Sequence, residues 1–192
     1  GNLGNAVAAL MARAAGLPAL DVAAYDTVAA DYPDDPGALV TVLLACLHLS
    51  AGHAVYVPAG LPHSYIRGTG LEVMTSSDNV IRLGLTGKPV FVDDALRALD
   101  FEAVAQVVRA DHGDLIWPVD APFVVRLQRA GRERLPQGAY RIVLLLEGHA
   151  TVESELGETT LRCGTAAVIS AADPDAYVAA DGLVAVVQST QR

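Results

Sequence analysis

Between residues 52 and 88 the chain is punctuated by Gly and Pro corners, and the first of these corners sets what can be built around it. Gly52 is followed by five residues, Pro58, one residue, Gly60, two residues and then His63. Residues 54–57 are apolar with two β-branched side chains, Pro58-Ala59-Gly60 interrupts them, and residues 63–66 resume the pattern. The spacing predicts two short strands around a tight corner. Proline fixes φ and glycine permits the left-handed turn, so the second strand starts in a defined direction and carries His63 with it. A neutral imidazole on a stiff strand is a good ligand for a borderline metal such as zinc. A buried structural histidine is the competing reading, and the turn spacing favours the ligand.

This spacing resembles the second sequence motif of the cupin barrels, with Arg67 where those barrels usually have Asn. The residues that follow extend the likeness. His63-Ser64-Tyr65-Ile66-Arg67-Gly68, then Leu71-Glu72-Val73-Met74, then Ser77-Asp78-Asn79-Val80-Ile81-Arg82-Leu83-Gly84-Leu85-Thr86-Gly87-Lys88 is similar to the type I phosphomannose isomerases. The resemblance implies His63 as a zinc ligand, Arg82 as the catalytic arginine, and Tyr65, Glu72, Asp78 and Lys88 as pocket residues touching a small sugar phosphate. Ser64, Thr75 and Gly87 depart from the family pattern without removing a charged group, and Gly87 in place of Pro loosens the loop that presents Lys88.

The implied reaction interconverts mannose 6-phosphate and fructose 6-phosphate through an enediol, with zinc on the substrate oxygens and the Arg82 guanidinium facing the enediolate charge. A catalytic zinc takes about three protein ligands, and only His63 has the expected spacing. The family takes the others, a Gln-x-His pair and a Glu, from an upstream region without counterpart before Gly52. The resemblance therefore implies the C-terminal half of such an isomerase, inactive as this chain alone. The alternative is a non-catalytic cupin domain that binds a sugar phosphate or a protein partner. A metal-dependent cupin oxygenase would need a His-x-His strand that the sequence lacks.

A length of 192 residues suits one large or two small domains, and a formal net charge of −9 argues against nonspecific nucleic-acid binding. The two cysteines, Cys46 and Cys163, show no zinc-ribbon or disulfide spacing and read as reduced residues of a cytoplasmic protein. The most apolar run, residues 38–49, is too short to span a bilayer, so no membrane partner is expected.

Taken in order, residues 3–15 read as an Ala-rich helix stopped by Gly16, and Asp21 as the N-cap of a second helix ending before Tyr32-Pro33-Asp34-Asp35-Pro36. From Val40 the pattern turns to β. Cys46 and His48 would share one face of a strand over 43–49, but they lie too close to Gly52 to form the first cupin ligand strand, and the metal reading is set aside. Asp93 to Leu99 predicts a capped helical turn, residues 101–109 lean to helix, His112-Gly113-Asp114 to a turn without a base role, and Trp117-Pro118 opens a linker. Beyond it, residues 123–127, 140–146, 150–154, 159–161, 166–169, 177–179 and 183–187 read as short antiparallel strands. Arg126, Arg129, Arg132 and Arg134 suit a solvated edge and hairpin loop better than a phosphate site. The expected architecture is mainly β: two cupin-like jelly-roll barrels, the first incomplete, after a short N-terminal helical segment. Its parts are a helical remnant at 1–36, a metal and substrate cupin portion with a connecting helix at 37–117, and a C-terminal cupin-like barrel without a metal site at 118–192.

Overall fold

The computed structural model describes residues 5, 6, 9, 16–77, 79–109, 115, 116 and 121–190. Asp78, the turn at 112–114, Trp117-Pro118 and most of the expected first helix lie outside the described residues. The chain divides into two compact units, one of Gly1–Leu49 with Val57–Gln106, the other of Ser50–Tyr56 with Val107–Arg192.

In the first unit, helix α1 spans Ala19–Asp31 and buries Tyr25 and Val28. Pro18 is its N-cap, and the Pro18 carbonyl accepts from the amides of Asp21 and Val22 at 3.0 and 3.2 Å. Asp21 is thus not the cap but a first-turn residue, because Pro18, with its fixed φ, caps the helix three residues earlier. The short helix α2, Gly37–Thr41, packs Ala38 on Val28, with Leu39, Ile66 and Leu85 around them. The expected strand over 43–49 does not form. The amides of Leu43 and Leu44 bond back to the carbonyls of Val40 and Thr41 at 2.9 and 3.0 Å, which prolongs α2 into turns and leaves Leu43 78% exposed. Helix α3, Val92–Ala98, is the helical turn expected there, with Asp93 and Asp94 in its first turn and Arg97 in its last, but its N-cap is Phe91 and no side chain caps it.

The corner that precedes His63 needs its glycines. Gly52 and Gly60 adopt φ of 86° and 81°, which side chains rarely tolerate. A Cβ on Gly60 would also stand 2.9 Å from the carbonyl oxygen of Ala98, and the Gly60 carbonyl accepts from the Asp100 amide at 3.0 Å. Residues 63–66 continue from this corner without joining a ladder among the described residues.

In the second unit, β1 (His53–Tyr56) pairs with β2 (Gln106–Arg109) as a two-stranded sheet. The lean to helix over 101–109 is corrected here, since β-branched Val107 and Val108 find a strand partner and pairing overrides a weak local preference. A five-stranded sheet follows the order β3 (Leu115–Ile116), β4 (Phe123–Gln128), β11 (Leu183–Ser189), β6 (Arg141–Glu147), β9 (Ala166–Ile169). A four-stranded sheet follows β5 (Gly131–Leu135), β10 (Ala176–Ala180), β7 (Ala150–Ser154), β8 (Gly157–Leu161). All pairings with a defined register are antiparallel. Alternate residues point inward, so Val143, Leu145, Val184 and Val186 of one sheet meet Leu135, Val152, Leu161 and Val178 of the other. The mainly β, antiparallel expectation holds, and none of the described sheets closes into a barrel.

Strand β5 is an edge of its sheet, in keeping with the solvated edge expected there, though residues 131–135 form a strand rather than a hairpin loop. Its arginines face carboxylates: Arg132 pairs with Glu153 at 2.9 Å and lies over the Tyr177 ring, Arg134 pairs with Asp175, and Arg126 of β4 pairs with Glu133. Such exposed pairs add little stability.

Arg141 is different, being a fully buried guanidinium whose partners are all main-chain carbonyls. Its Nη1 donates to Leu135, Pro136 and Pro174 at 2.8, 2.9 and 3.2 Å, and its Nη2 to Ser170 and Asp173 at 2.6 and 3.1 Å. The side chain ties the loop after β5 to the loop after β9. Replacing it by methionine leaves these carbonyls without donors, so Arg141→Met should destabilise the second unit by about 3 kcal/mol or more. Urea unfolding would read this as a lower midpoint at unchanged slope. An unchanged midpoint would show that the clamp contributes nothing.

Candidate functional site

The corner at Gly60 delivers His63 to an exposed position, where its Nδ1 donates to the Leu61 carbonyl at 3.0 Å. A carbonyl can only accept, so the neutral ring carries its proton on Nδ1 and turns an unprotonated Nε2 outward. The Tyr65 ring meets His63 edge-on at 6.0 Å between centroids. The Tyr65 hydroxyl donates to Glu72 Oε1 at 2.9 Å. Desolvation of the hydroxyl, then that hydrogen bond and the Glu72 charge, push the phenol above its usual ionisation range. Three of the expected residues, His63, Tyr65 and Glu72, are therefore one connected group.

Arg82 and Lys88 stand on the following loop. Arg82 is half-buried and its carbonyl accepts from the Phe91 amide at 3.3 Å, while Lys88 is exposed with its amide on Thr86 Oγ1 at 3.1 Å. Among the described residues, no hydrogen bond or ring contact joins this pair to the His63 group.

What holds the loop is Asp35, which the sequence offered only as part of a helix-breaking turn. Its Oδ1 accepts from the Gly37 amide at 2.7 Å and its Oδ2 from the Leu85 amide at 2.6 Å, fifty positions along the chain. Leu85 adopts a φ of 55°, rare for a residue with a side chain. Gly84 lies so close to α2 that a Cβ on it would be 2.7 Å from Asp35 Oδ1 and 3.1 Å from the Gly37 Cα. The staple needs glycine at position 84. An open groove of about 550 Å³ runs beside it, lined by Tyr32, Pro33, Asp34, Leu83 and Val90 among others, and by none of the expected sugar-phosphate residues.

His63 is not part of any set of three metal-ligating side chains among the described residues. The described residues alone do not complete a zinc centre around it. One such set does occur elsewhere in the first unit, formed by Asp21, Cys46 and His48, with His48 Nε2 at 2.7 Å from Asp21 Oδ1. Burial and then the Asp21 carboxylate push the Cys46 thiol up. The sequence held the Cys46-x-His48 pair but carried no signal linking it to Asp21, which had been assigned to capping.

No protein-family profile matches the chain. Curated proteins do. The mannose-6-phosphate isomerase of Escherichia coli (strain K12) is 31% identical over 163 residues, 80% of this chain and 41% of that protein. The mannose-6-phosphate isomerase of Cryptococcus neoformans is 44% identical over 72 residues, 38% of this chain and 17% of that protein. Among solved structures, mannose 6-phosphate isomerase from Salmonella typhimurium, bound to its substrate fructose 6-phosphate and a zinc atom, superposes with a TM-score of 0.77 at 25% identity. The match covers 98% of this chain and 49% of that one. The chain is thus similar to phosphomannose isomerases almost throughout, and spans about two fifths to one half of their length.

Two measurements probe the geometry. Asp35→Ala should speed hydrogen exchange of the Leu85 amide about tenfold or more, since a hydrogen bond to a charged group contributes about 1.5 to 3 kcal/mol. Unchanged exchange at Leu85 would remove the staple. Glu72→Ala should let Tyr65 ionise at lower pH than in the parent, nearer the ordinary phenol value of about 10, as followed by phenolate absorbance. A Tyr65 titration indifferent to residue 72 would dissolve the proposed connection.

Proposed function

We propose that this chain contributes the sugar-phosphate half of a mannose-6-phosphate isomerase, an enzyme that interconverts mannose 6-phosphate and fructose 6-phosphate through an enediol in the cytoplasm. The similarity to these isomerases over four fifths of the chain carries the reading, and it includes a relative solved with fructose 6-phosphate and zinc. His63 is the zinc ligand this chain offers, through the Nε2 left free by its bond to Leu61. The described residues do not supply the rest of that centre, and no step is assigned to the metal.

The remaining roles follow from charge. Arg82 presents a planar cationic fork, which suits two oxygens of a substrate gaining negative charge. Lys88, exposed beyond the Asp35 staple, suits the phosphate, whose charge is the same in ground and transition states. Glu72 has Oε1 engaged by Tyr65 and can receive a sugar hydroxyl on its other oxygen, with Asp78 assigned to the same pocket.

The natural gene product should catalyse the interconversion in a coupled fructose 6-phosphate assay. In it, Arg82→Lys should lower kcat about a hundredfold, since losing a donor aimed at transition-state charge costs roughly 3 kcal/mol. Lys88→Ala should chiefly raise KM. Absence of any interconversion by the natural product would overturn the reading, and an Arg82→Lys variant altered only in KM would reduce Arg82 to a binding residue.

A further inference from the structure

Helix α1 and the segment after α2 bring three different donor atoms together where neither element alone holds a site. Asp21 lies in the first turn of α1, and Cys46 and His48 lie on the segment that leaves α2. A carboxylate oxygen, the Cys46 sulfur and a His48 ring nitrogen all fall within 4.8 Å of one another. The Tyr25 hydroxyl donates to the Leu44 carbonyl at 2.9 Å, which fixes the incoming segment against the helix that carries Asp21.

We propose that Asp21, Cys46 and His48 form a divalent-metal site, selective for zinc-like ions and independent of His63. The donor chemistry argues for it. One thiolate, one imidazole and one carboxylate make a mixed set suited to a borderline ion and poor for calcium or magnesium, which take oxygen. Tetrahedral zinc holds such donors roughly 3.3 to 3.6 Å apart, so closing on an ion takes a shift of about an ångström and opens the direct His48–Asp21 contact. The side chains can make that adjustment, because His48 is 46% exposed and Asp21 16%. A bound cation takes Cys46 as the thiolate and releases its proton. Water or another protein group takes the fourth position.

Cobalt(II) substitution tests the site directly. Titrating the reduced chain with cobalt(II) should give thiolate-to-metal charge-transfer absorption, and zinc(II) should displace it. Cys46→Ser should abolish the absorption. His48→Ala and Asp21→Ala should each weaken cobalt binding at least tenfold. Cys163→Ser and His63→Ala should retain the band. Because His63→Ala leaves this signal intact while disabling the centre assigned to isomerisation, failure of one assignment is distinguishable from failure of the other. No charge-transfer band, or a band that survives Cys46→Ser, would overturn the proposal. If His48→Ala and Asp21→Ala both bound cobalt as the parent does, it would fail as well.

Discussion

An extended backbone must find partners for its amides and carbonyls, and the two units meet this requirement differently. In the second unit every described strand pairs with at least one other, and the two larger sheets bury a layer of Val, Leu and Ala between them. In the first unit the segment carrying the expected chemistry has no ladder among the described residues. Its path is set by a few specific bonds instead: the Gly60 carbonyl to the Asp100 amide, the Arg82 carbonyl to the Phe91 amide, and the Asp35 carboxylate to Leu85. Its apolar side chains pack sparsely, and Met74, Val80 and Phe91 are each more than half exposed. Fold and function are thus unequally supported along one chain, with the firmest packing away from the expected catalytic residues.

The parts that sequence reading found are those where one residue type answers one local demand. Gly52 and Gly60 announce left-handed turns, and both have them. The alternating Val, Leu and Ala of residues 140–146, 150–154 and 183–187 announce strands with one face inward, and Val143, Leu145, Val152, Val184 and Val186 are buried as that pattern requires. The type I isomerase likeness rested on the block around His63, and relatives extend it over most of the chain.

Some misses are local, as at residues 43–49 and at the Asp21 cap, and others are relations between distant residues. Nothing near Asp35 says that its second oxygen is owed to Leu85, and nothing near Asp21 says that it faces His48. Residues 101–109 were ambiguous because mixed Val and polar residues fit a helix or a strand, and only the presence of β1 decides. The arginines of β5 read as a solvated edge and hairpin loop, and the carboxylates that meet Arg132 and Arg134, Glu153 and Asp175, lie far along the chain. The family likeness named Tyr65 and Glu72 as pocket residues, and the hydrogen bond between them came only with the structure.

Arg141 bears on how freely the sandwich can change. Every bond it makes is to a main-chain oxygen, at Leu135, Pro136, Ser170, Asp173 and Pro174. A carbonyl is offered by any amino acid, prolines included, so the clamp recognises the path of the two loops and is blind to the side chains along them. A residue exchange in those loops leaves the clamp intact wherever their course is kept, whereas the single arginine that reads them has no substitute: lysine lacks the fork that lets one side chain reach both loops. Divergence in this part of the molecule is thereby channelled into the loops and withheld from one position.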